Sequence, residues 1–125
     1  MPQIEATEVA TLAARGFKSI IGNHPEGEAH DQPAWSSLVA EAEWHEVSDR
    51  QMPVVSGEIG PDHVKRFAEA LHELPTPIAA FCRTGPRSAM LWALVNPDGL
   101  NVDERIAAAA AQSYDLAPLR DRMEH

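Results

Sequence analysis

The chain has 125 residues, of which 44% are hydrophobic and 23% are charged. That length predicts one domain over residues 1–125, with about two-thirds of its unfolded surface buried. Its formal net charge of −9 comes from 19 acidic and 10 basic residues. An acidic surface repels phosphate backbones, so nucleic acid is excluded as an expected partner.

Cys82 is the single cysteine of the sequence. An internal disulfide is therefore excluded, which favours a reducing compartment. Residues 1–5 lack the basic and apolar regions of a secretion signal. No apolar run approaches the roughly 20 residues that a bilayer-spanning helix needs. We expect a soluble, cytoplasmic protein without a membrane partner.

The first half of the chain predicts two helices and two strands. Residues 9–13 carry a helical apolar face that Gly16 ends, and residues 17–21 follow as a strand. After a loop over residues 22–31, a second helix is expected from Pro33. Its buried stripe is predicted to be Trp35, Leu38, Val39 and Ala42. Residues 44–47 alternate like a strand, which residues 54–55 extend.

The second half alternates in the same way. A third helix, ended by Pro75 and Pro77, precedes a wholly apolar strand over residues 78–81. Residues 89–95 predict a buried helix, and Asn101 with Glu104 predicts a capping box for a helix that reaches about Gln112. One more helical turn is expected in residues 114–125. Alternating helices and strands favour a three-layer α/β fold, with a small, mostly parallel central sheet flanked by helices. Its core is expected to include all three tryptophans, Trp35, Trp44 and Trp92.

The loop after residues 78–81 is the candidate active site. Cys82 begins it, and a strand followed by a tight loop and a helix directs backbone N–H groups and a helix N-terminus at one point. We expect Cys82 to be a thiolate nucleophile, because amides, the helix end and Arg87 favour its ionised form. Arg87 would bind two oxygens of an anion, and Ser88 would donate its hydroxyl hydrogen to the thiolate. The anion-binding loop consists of Arg83, Thr84, Gly85 and Pro86.

The same loop has a simpler interpretation. A lone cysteine at the end of a core strand is most often a small buried hydrophobic residue. Gly85, which permits a positive φ, and the nearby guanidinium of Arg87 favour the functional interpretation over that one.

The loop sequence resembles two groups of cysteine enzymes. Protein tyrosine and dual-specificity phosphatases have five residues between their cysteine and arginine, whereas rhodanese-type sulfurtransferases often have Cys-Arg-x-Gly-x-Arg. The segment CRTGPR at residues 82–87 matches the shorter pattern at each position. A smaller loop encloses less volume, which suits a sulfane sulfur better than a phosphoryl group.

The whole chain is similar to one bacterial family, the phosphatase-like domain found alone or fused to metallo-β-lactamase-like hydrolases in beta-lactamase hydrolase-like proteins. The shared segments are QI at 3–4, GFKSII at 16–21, NHPEGE at 23–28, QP at 32–33, PVVSG at 53–57, CRTGPRS at 82–88 and YDL at 114–116. This resemblance implies a protein tyrosine/dual-specificity phosphatase-like fold with a rhodanese-length loop. It also implies a hydrolase of the fused kind as a partner.

Three departures from the family pattern bear on activity. His24 stands where the family usually has arginine, which would weaken anion recognition or make it depend on pH. Pro86 stands where threonine is common, and proline has no N–H to donate to an oxyanion. The strand that often precedes position 3 is missing, which predicts a thinner sheet or an exposed edge. His24 and Glu28 are expected at the rim of the substrate site.

The two activities differ in whether they require a general acid. A phosphatase of this type needs an aspartic acid about 30 residues before the cysteine to protonate the leaving oxygen. Asp49 has that spacing, and Glu58 lies in the turn from which the acid would project, although Glu58 also suits the start of a helix. Sulfur transfer through a Cys82 persulfide needs no acid.

We therefore predict a cysteine-dependent sulfurtransferase, with a phosphatase and a non-catalytic anion- or partner-binding module as the alternatives. The substrate would be a small anion, either a sulfane-sulfur donor or a phosphoester. No cofactor is implied. The histidines and acids of residues 24–31 fit no standard zinc spacing, so no metal site is expected.

Overall fold

The computed structural model describes residues 1–124, and His125 lies outside them. Three strands alternate with helices along the described chain. The strands are β1 Ser19–Gly22, β2 Ser48–Gln51 and β3 Ile78–Phe81. The helices are α1 Ala6–Ala14, α2 Trp35–Trp44, α3 Pro61–Glu73, α4 Pro86–Val95, α5 Val102–Ala111 and α6 Arg120–Met123, with a 3₁₀ turn over Ala117–Leu119.

The sheet has the order β2-β1-β3, and both of its pairings are parallel. Ser19 aligns with Ser48 on one side and with Ile78 on the other. Every residue of the central strand β1 is buried, as expected for a strand covered by helices on both faces. The predicted three-layer α/β fold is therefore confirmed.

The two faces of the sheet carry separate apolar clusters. Side chains from α1 and α2, including Val9 and Leu38, pack against Ile20 of β1. On the other face, Phe67 of α3 and Leu91 of α4 pack against Ile21. The last helices add a third cluster against α4, formed by Ala93, Ala109, Leu116 and Met123. These clusters fix β3 and α4, and thus the loop between them.

The second strand was predicted in the wrong place. Residues 44–47 do not form it, because α2 continues to Trp44 and Glu46 takes a positive φ of 57° that reverses the chain. The strand is the more polar segment Ser48–Gln51 at the sheet edge, where a fully apolar face is not required. Trp44 is 82% exposed, so its predicted core position is wrong as well. Trp35 does pack inward, against Phe81.

Two helices begin elsewhere than expected. Helix α2 starts at Trp35 rather than Pro33. Helix α4 starts at Pro86, three residues before the predicted start at residue 89. Proline suits a first helical position, since the N–H that it lacks has no partner within the helix there. The consequence for the site is a shorter loop, whose later residues already belong to the first turn of α4.

Residues 1–3 lie along the outer edge of β3, where an exposed edge was expected. Met1 N donates to Ala80 O at 2.8 Å, Cys82 N donates to Met1 O at 3.1 Å, and Gln3 N donates to Arg83 O at 3.1 Å. This short extended segment satisfies backbone groups of β3 as a further strand would. Of the two expected consequences of the missing strand, the exposed edge is wrong for this part of β3, whereas the sheet is thin, with three strands among residues 1–124.

Other sequence predictions are confirmed. Gly16 has a φ of 92° just after α1, and the capping box of α5 is present, with Glu104 N donating to Asn101 Oδ1 at 2.8 Å. Residues 117–123 supply the further helical turn expected near the end. Within residues 1–124, no helix is long and apolar enough to cross a bilayer.

Candidate active site

Cys82 follows directly after β3 and is completely buried. Its sulfur accepts a hydrogen bond from Gly85 N at 3.0 Å. Gly85 caps α4 with a φ of 108°, in the left-handed region that favours glycine. The loop therefore curls back on the sulfur and presents the N-terminus of α4 to it, an arrangement that favours negative charge. The predicted strand, loop and helix around Cys82 are present.

Gly85 is also required for a second reason. The phenol of Tyr114 lies so close that a Cβ at position 85 would overlap its hydroxyl. The same hydroxyl donates to Thr84 O at 3.3 Å. The close approach that a glycine permits here is thus made by Tyr114. Sequence analysis assigned Tyr114 no role, because a residue so far along the chain gives no local signal of this contact.

Arg87 reaches across the site to Glu28. Its Nη1 and Nη2 donate to the two carboxylate oxygens at 3.0 and 2.6 Å, and Nη1 also donates to Val54 O at 2.8 Å. These bonds use three of the five guanidinium N–H groups, so Nε and one hydrogen of Nη2 have no oxygen acceptor among the described residues. Glu28 therefore orients Arg87 and leaves a pair of donors for two oxygens of an anion.

The electrostatics of this pair are reciprocal. Hydrogen bonding to Arg87 lowers the pKa of Glu28, although burial opposes that shift. Hydrogen bonding to Glu28 raises the pKa of Arg87, and the nearby Cys82 acts in the same direction. The site thus combines a fixed carboxylate, a fixed guanidinium and a buried thiol.

Ser88 is buried in the first turn of α4, but its hydroxyl hydrogen does not go to the thiol as predicted. Its hydroxyl donates to Asn23 Oδ1 at 2.8 Å, and Asn23 Nδ2 donates to Met52 O at 2.9 Å. Asn23 follows the central strand β1 and is itself fully buried. A serine hydroxyl has one hydrogen, so this bond removes it from the sulfur. Ser88 and Asn23 instead tie α4 to the ends of β1 and β2.

His24 is buried beside Gln3 and Glu28 rather than placed at an open rim. Its Nδ1 is 2.6 Å from Gln3 Oε1, and its Nε2 is 3.1 Å from Glu28 Oε1. Despite that short distance, the buried Nε2 makes no well-formed hydrogen bond to any of the described residues. Burial is the main cause that lowers the pKa of His24, and Glu28 opposes the shift. The His24 side chain is only 1% exposed.

A cavity of about 490 Å³ opens over the loop. Its walls are formed by Glu28, Val55, Ser56, Gly57, Arg83, Thr84, Pro86, Arg87 and Met90. Arg83 and Thr84 are exposed at its mouth. Cys82 does not line it, so a ligand in this cavity reaches the sulfur only when the loop opens locally.

Neither candidate general acid lines that cavity. Asp49 lies within β2, opposite Ile20 of β1, and Glu58 is exposed beyond the cavity wall at Gly57. Burial raises the pKa of Asp49, with Glu43 adding to the shift, but its position in the sheet keeps it apart from Cys82. Within residues 1–124, no group of three or more histidine, cysteine or acidic residues is placed to bind a metal.

Sequence comparison identifies related proteins. The model of the family described as beta-lactamase hydrolase-like protein, phosphatase-like domain, matches residues 1–99. A beta-lactamase hydrolase-like protein of Xylella fastidiosa strain Temecula1 is 30% identical over 116 residues. That match covers 91% of this chain and 27% of the relative, so the chain spans about a quarter of its length.

Solved structures agree with that match. A candidate phosphatase from Neisseria meningitidis Z2491 superposes with a TM-score of 0.86 at 31% identity, over 98% of this chain and 87% of the other. The catalytic core of the PP-IP phosphatase Siw14 from S. cerevisiae, in complex with citrate, gives a TM-score of 0.75 at 15% identity, over 98% and 76% of the two chains. The fold is therefore that of the protein tyrosine and dual-specificity phosphatases.

Proposed function

Because this chain belongs to the phosphatase-like domain family of beta-lactamase hydrolase-like proteins, we propose that it is a cysteine-dependent phosphatase for small phosphate monoesters. One arrangement carries the proposal: the sulfur of Cys82 and the guanidinium of Arg87 meet at the N-terminus of α4. A thiolate supplies the nucleophile, and the guanidinium and helix end stabilise the charge of the phosphoryl oxygens. This reverses the preference for sulfur transfer that loop length and the lack of an obvious general acid suggested.

Once a local opening of the loop exposes the buried sulfur of Cys82, the reaction would proceed in two steps. The Cys82 thiolate attacks phosphorus, the bond between phosphorus and the leaving oxygen breaks, and that oxygen departs with the electron pair. Water then attacks the phosphocysteine, which releases inorganic phosphate, returns the thiolate and gives up one proton to solvent. Arg87 would hold two phosphoryl oxygens through both steps. The general acids proposed from the sequence, Asp49 and Glu58, are not needed in this scheme.

Among residues 1–124, the cavity wall offers no carboxylic acid that is free to donate a proton, and this sets the substrate preference. Glu28 is the acid that lines the cavity, and Arg87 keeps it ionised. The leaving oxygen must therefore depart unprotonated, which favours aryl phosphates over alkyl phosphates. The apolar wall of Val55 and Met90 suits an aryl ring as well.

Sulfur transfer is a second candidate, favoured by the four residues between Cys82 and Arg87 and by the same lack of an acid. Cys82 would attack the outer sulfur of thiosulfate, the S–S bond would break, and sulfite would leave with its electron pair. The resulting persulfide would pass its sulfur to a thiolate or to cyanide. Transfer to a partner hydrolase of the kind fused to relatives stays a prediction.

One experiment separates the candidates. The protein is incubated with p-nitrophenyl phosphate or with thiosulfate, and turnover and intact mass are recorded for the wild type and for Cys82→Ser. Aryl phosphate turnover that disappears in Cys82→Ser supports the phosphatase. A Cys82-dependent mass gain of one sulfur, without phosphate turnover, supports sulfur transfer instead.

If the wild type catalyses neither reaction, both enzymatic proposals are overturned. Binding of inorganic phosphate that is equal in the wild type and in Cys82→Ser would then indicate the non-catalytic anion-binding module. Loss of stability as the sole effect of Cys82→Ser would indicate a structural cysteine.

A further inference from the structure

The ring of His24 lies between two hydrogen-bond acceptors. Gln3 Oε1 faces its Nδ1, and the orientation of that amide is fixed because Gln3 Nε2 donates to Ile4 O at 2.8 Å. Glu28 Oε1 faces its Nε2 at 3.1 Å. Neutral imidazole has one N–H and would leave one ring nitrogen directing a lone pair at an oxygen. Imidazolium has two N–H groups, which match the two acceptors.

The charges around His24 oppose one another. Burial destabilises the protonated ring most, Glu28 stabilises it, and Arg87 and Arg83 add to the effect of burial. Glu26 lines the same small pocket as His24, and its Oε1 accepts a hydrogen bond from Trp35 N at 2.5 Å. The neutral form is thus unsatisfied at Nε2, and the protonated form is buried near two guanidinium groups. An added negative charge at the loop would tip this balance toward protonation.

We propose that His24 is a proton-dependent positioning residue, whose protonated ring holds Glu28 and thereby orients Arg87 for an oxyanion. The step is a small rotation that brings Nε2–H onto Glu28 Oε1. It fixes the carboxylate that already grips Arg87 and adds a positive charge behind the anion site. This inference rests on the proposed function, because it assumes that the loop of Cys82 and Arg87 binds the anionic group of the substrate.

The proposal has a reciprocal consequence. If protonated His24 improves anion binding, a bound anion must favour the protonation of His24 by the same factor. Sulfate is the suitable probe, since its charge stays at −2 across the range in which histidine titrates. Anion affinity should therefore rise as the pH falls through the pKa of His24, which burial places below its usual range.

The test measures sulfate binding by NMR between pH 5 and pH 8. Cys82→Ser is the background protein, because ionisation of the thiol would itself alter anion affinity with pH. We expect sulfate to bind about five-fold more tightly with His24 protonated, at the low end of typical coupling between two sites. Saturating sulfate should raise the titration midpoint of the His24 ring by about 0.7 pH units, the logarithm of that factor.

Two variants on the same background complete the test. His24→Gln cannot titrate and should lose the His24-dependent part of the pH response. His30→Gln, an exposed histidine in the same loop, should retain it. Equal pH responses in all three proteins, or a His24 midpoint that sulfate leaves unchanged, would overturn the proposal while the anion site stands. Absence of sulfate binding at every pH would overturn the anion site and this inference together. The midpoint measurement needs no His24 variant, so it decides the matter even if His24→Gln fails to fold.

Discussion

Tyr114 lies directly against Gly85, so a side chain near the end of the described chain holds the cysteine loop in place. Its hydroxyl contacts Thr84 O on one side of that glycine, and Gly85 N donates to the sulfur of Cys82. Desolvation and the nearby Cys82 both raise the pKa of Tyr114, which keeps the phenol protonated as a donor. The loop is thus held on two sides, by β3, from which it continues, and by the segment after α5.

Gly85→Ala should disrupt the loop for two reasons. The new Cβ overlaps Tyr114, and the backbone φ of 108° is unfavourable for alanine. Gly99→Ala is the matched control, since Gly99 has a φ of 67° but nothing within 4 Å of the added Cβ. The control should lose about 1–2 kcal/mol of unfolding free energy from backbone strain alone. Gly85→Ala should lose clearly more, together with phosphatase turnover. Urea denaturation measures the unfolding free energy of both variants, and equal losses would show that the contact with Tyr114 is unimportant.

Glu28→Gln should lower both stability and kcat/KM. It removes one charge-assisted hydrogen bond to Arg87 and leaves a nearly buried guanidinium uncompensated, at a cost of about 1–3 kcal/mol. The range stays small because the Glu28 side chain is 27% exposed, so water screens its interaction with Arg87. Turnover should fall because Arg87 is no longer oriented. Chemical denaturation and steady-state kinetics check the two effects, and an unchanged kcat/KM would contradict the orienting role.

The pH dependence of the Glu28 contribution follows from the sign of its shift. Arg87 lowers the pKa of Glu28 in the folded state below its unfolded value of about 4.3. The folded state therefore binds fewer protons, so this stability is complete above that value and is lost as the pH falls toward the folded pKa. The difference in unfolding free energy between wild type and Glu28→Gln should be constant near pH 7 and shrink below about pH 4.3. A difference that persists into strong acid would exclude this pair as its source.

Ser88→Ala should destabilise the protein because it leaves the buried Oδ1 of Asn23 without its donor. The expected loss is about 1–3 kcal/mol, the cost of a buried unsatisfied polar group. Ser36→Ala, at an exposed position of α2, should change stability little. Thermal or urea unfolding compares them. If the two variants behave alike, the bond between Ser88 and Asn23 contributes nothing measurable.

Removing the acids proposed from the sequence should leave catalysis intact. Asp49→Asn and Glu58→Gln alter residues outside the cavity, so the kcat for p-nitrophenyl phosphate should stay within about two-fold of wild type, a change of less than 0.5 kcal/mol. The rate should also fall steeply as the leaving group becomes more basic in a series of aryl and alkyl phosphates. A large loss in either variant, or a flat series, would reveal a general acid.

Local patterns predicted those parts of the fold that neighbouring residues determine. Proline, glycine and the apolar run over residues 78–81 located β3 and its loop, and Asn101 with Glu104 located the start of α5. The second strand was misplaced because alternation over residues 44–47 also fits the last turn of a helix. Trp44 was misassigned for a related reason, since apolar character does not show which face of a helix meets the core.

The sequence by itself determined that the thiol of Cys82 and the guanidinium of Arg87, with four residues between them, lie where a strand turns into a helix. Tertiary structure alone decided the partners of that loop: Glu28 for Arg87, Asn23 for Ser88, and Tyr114 for Gly85. The reason is physical. Hydrogen bonds along a strand or helix follow from sequence spacing, whereas these contacts form because a parallel sheet brings the ends of β1 and β3 together and the helices carry distant residues to the same edge.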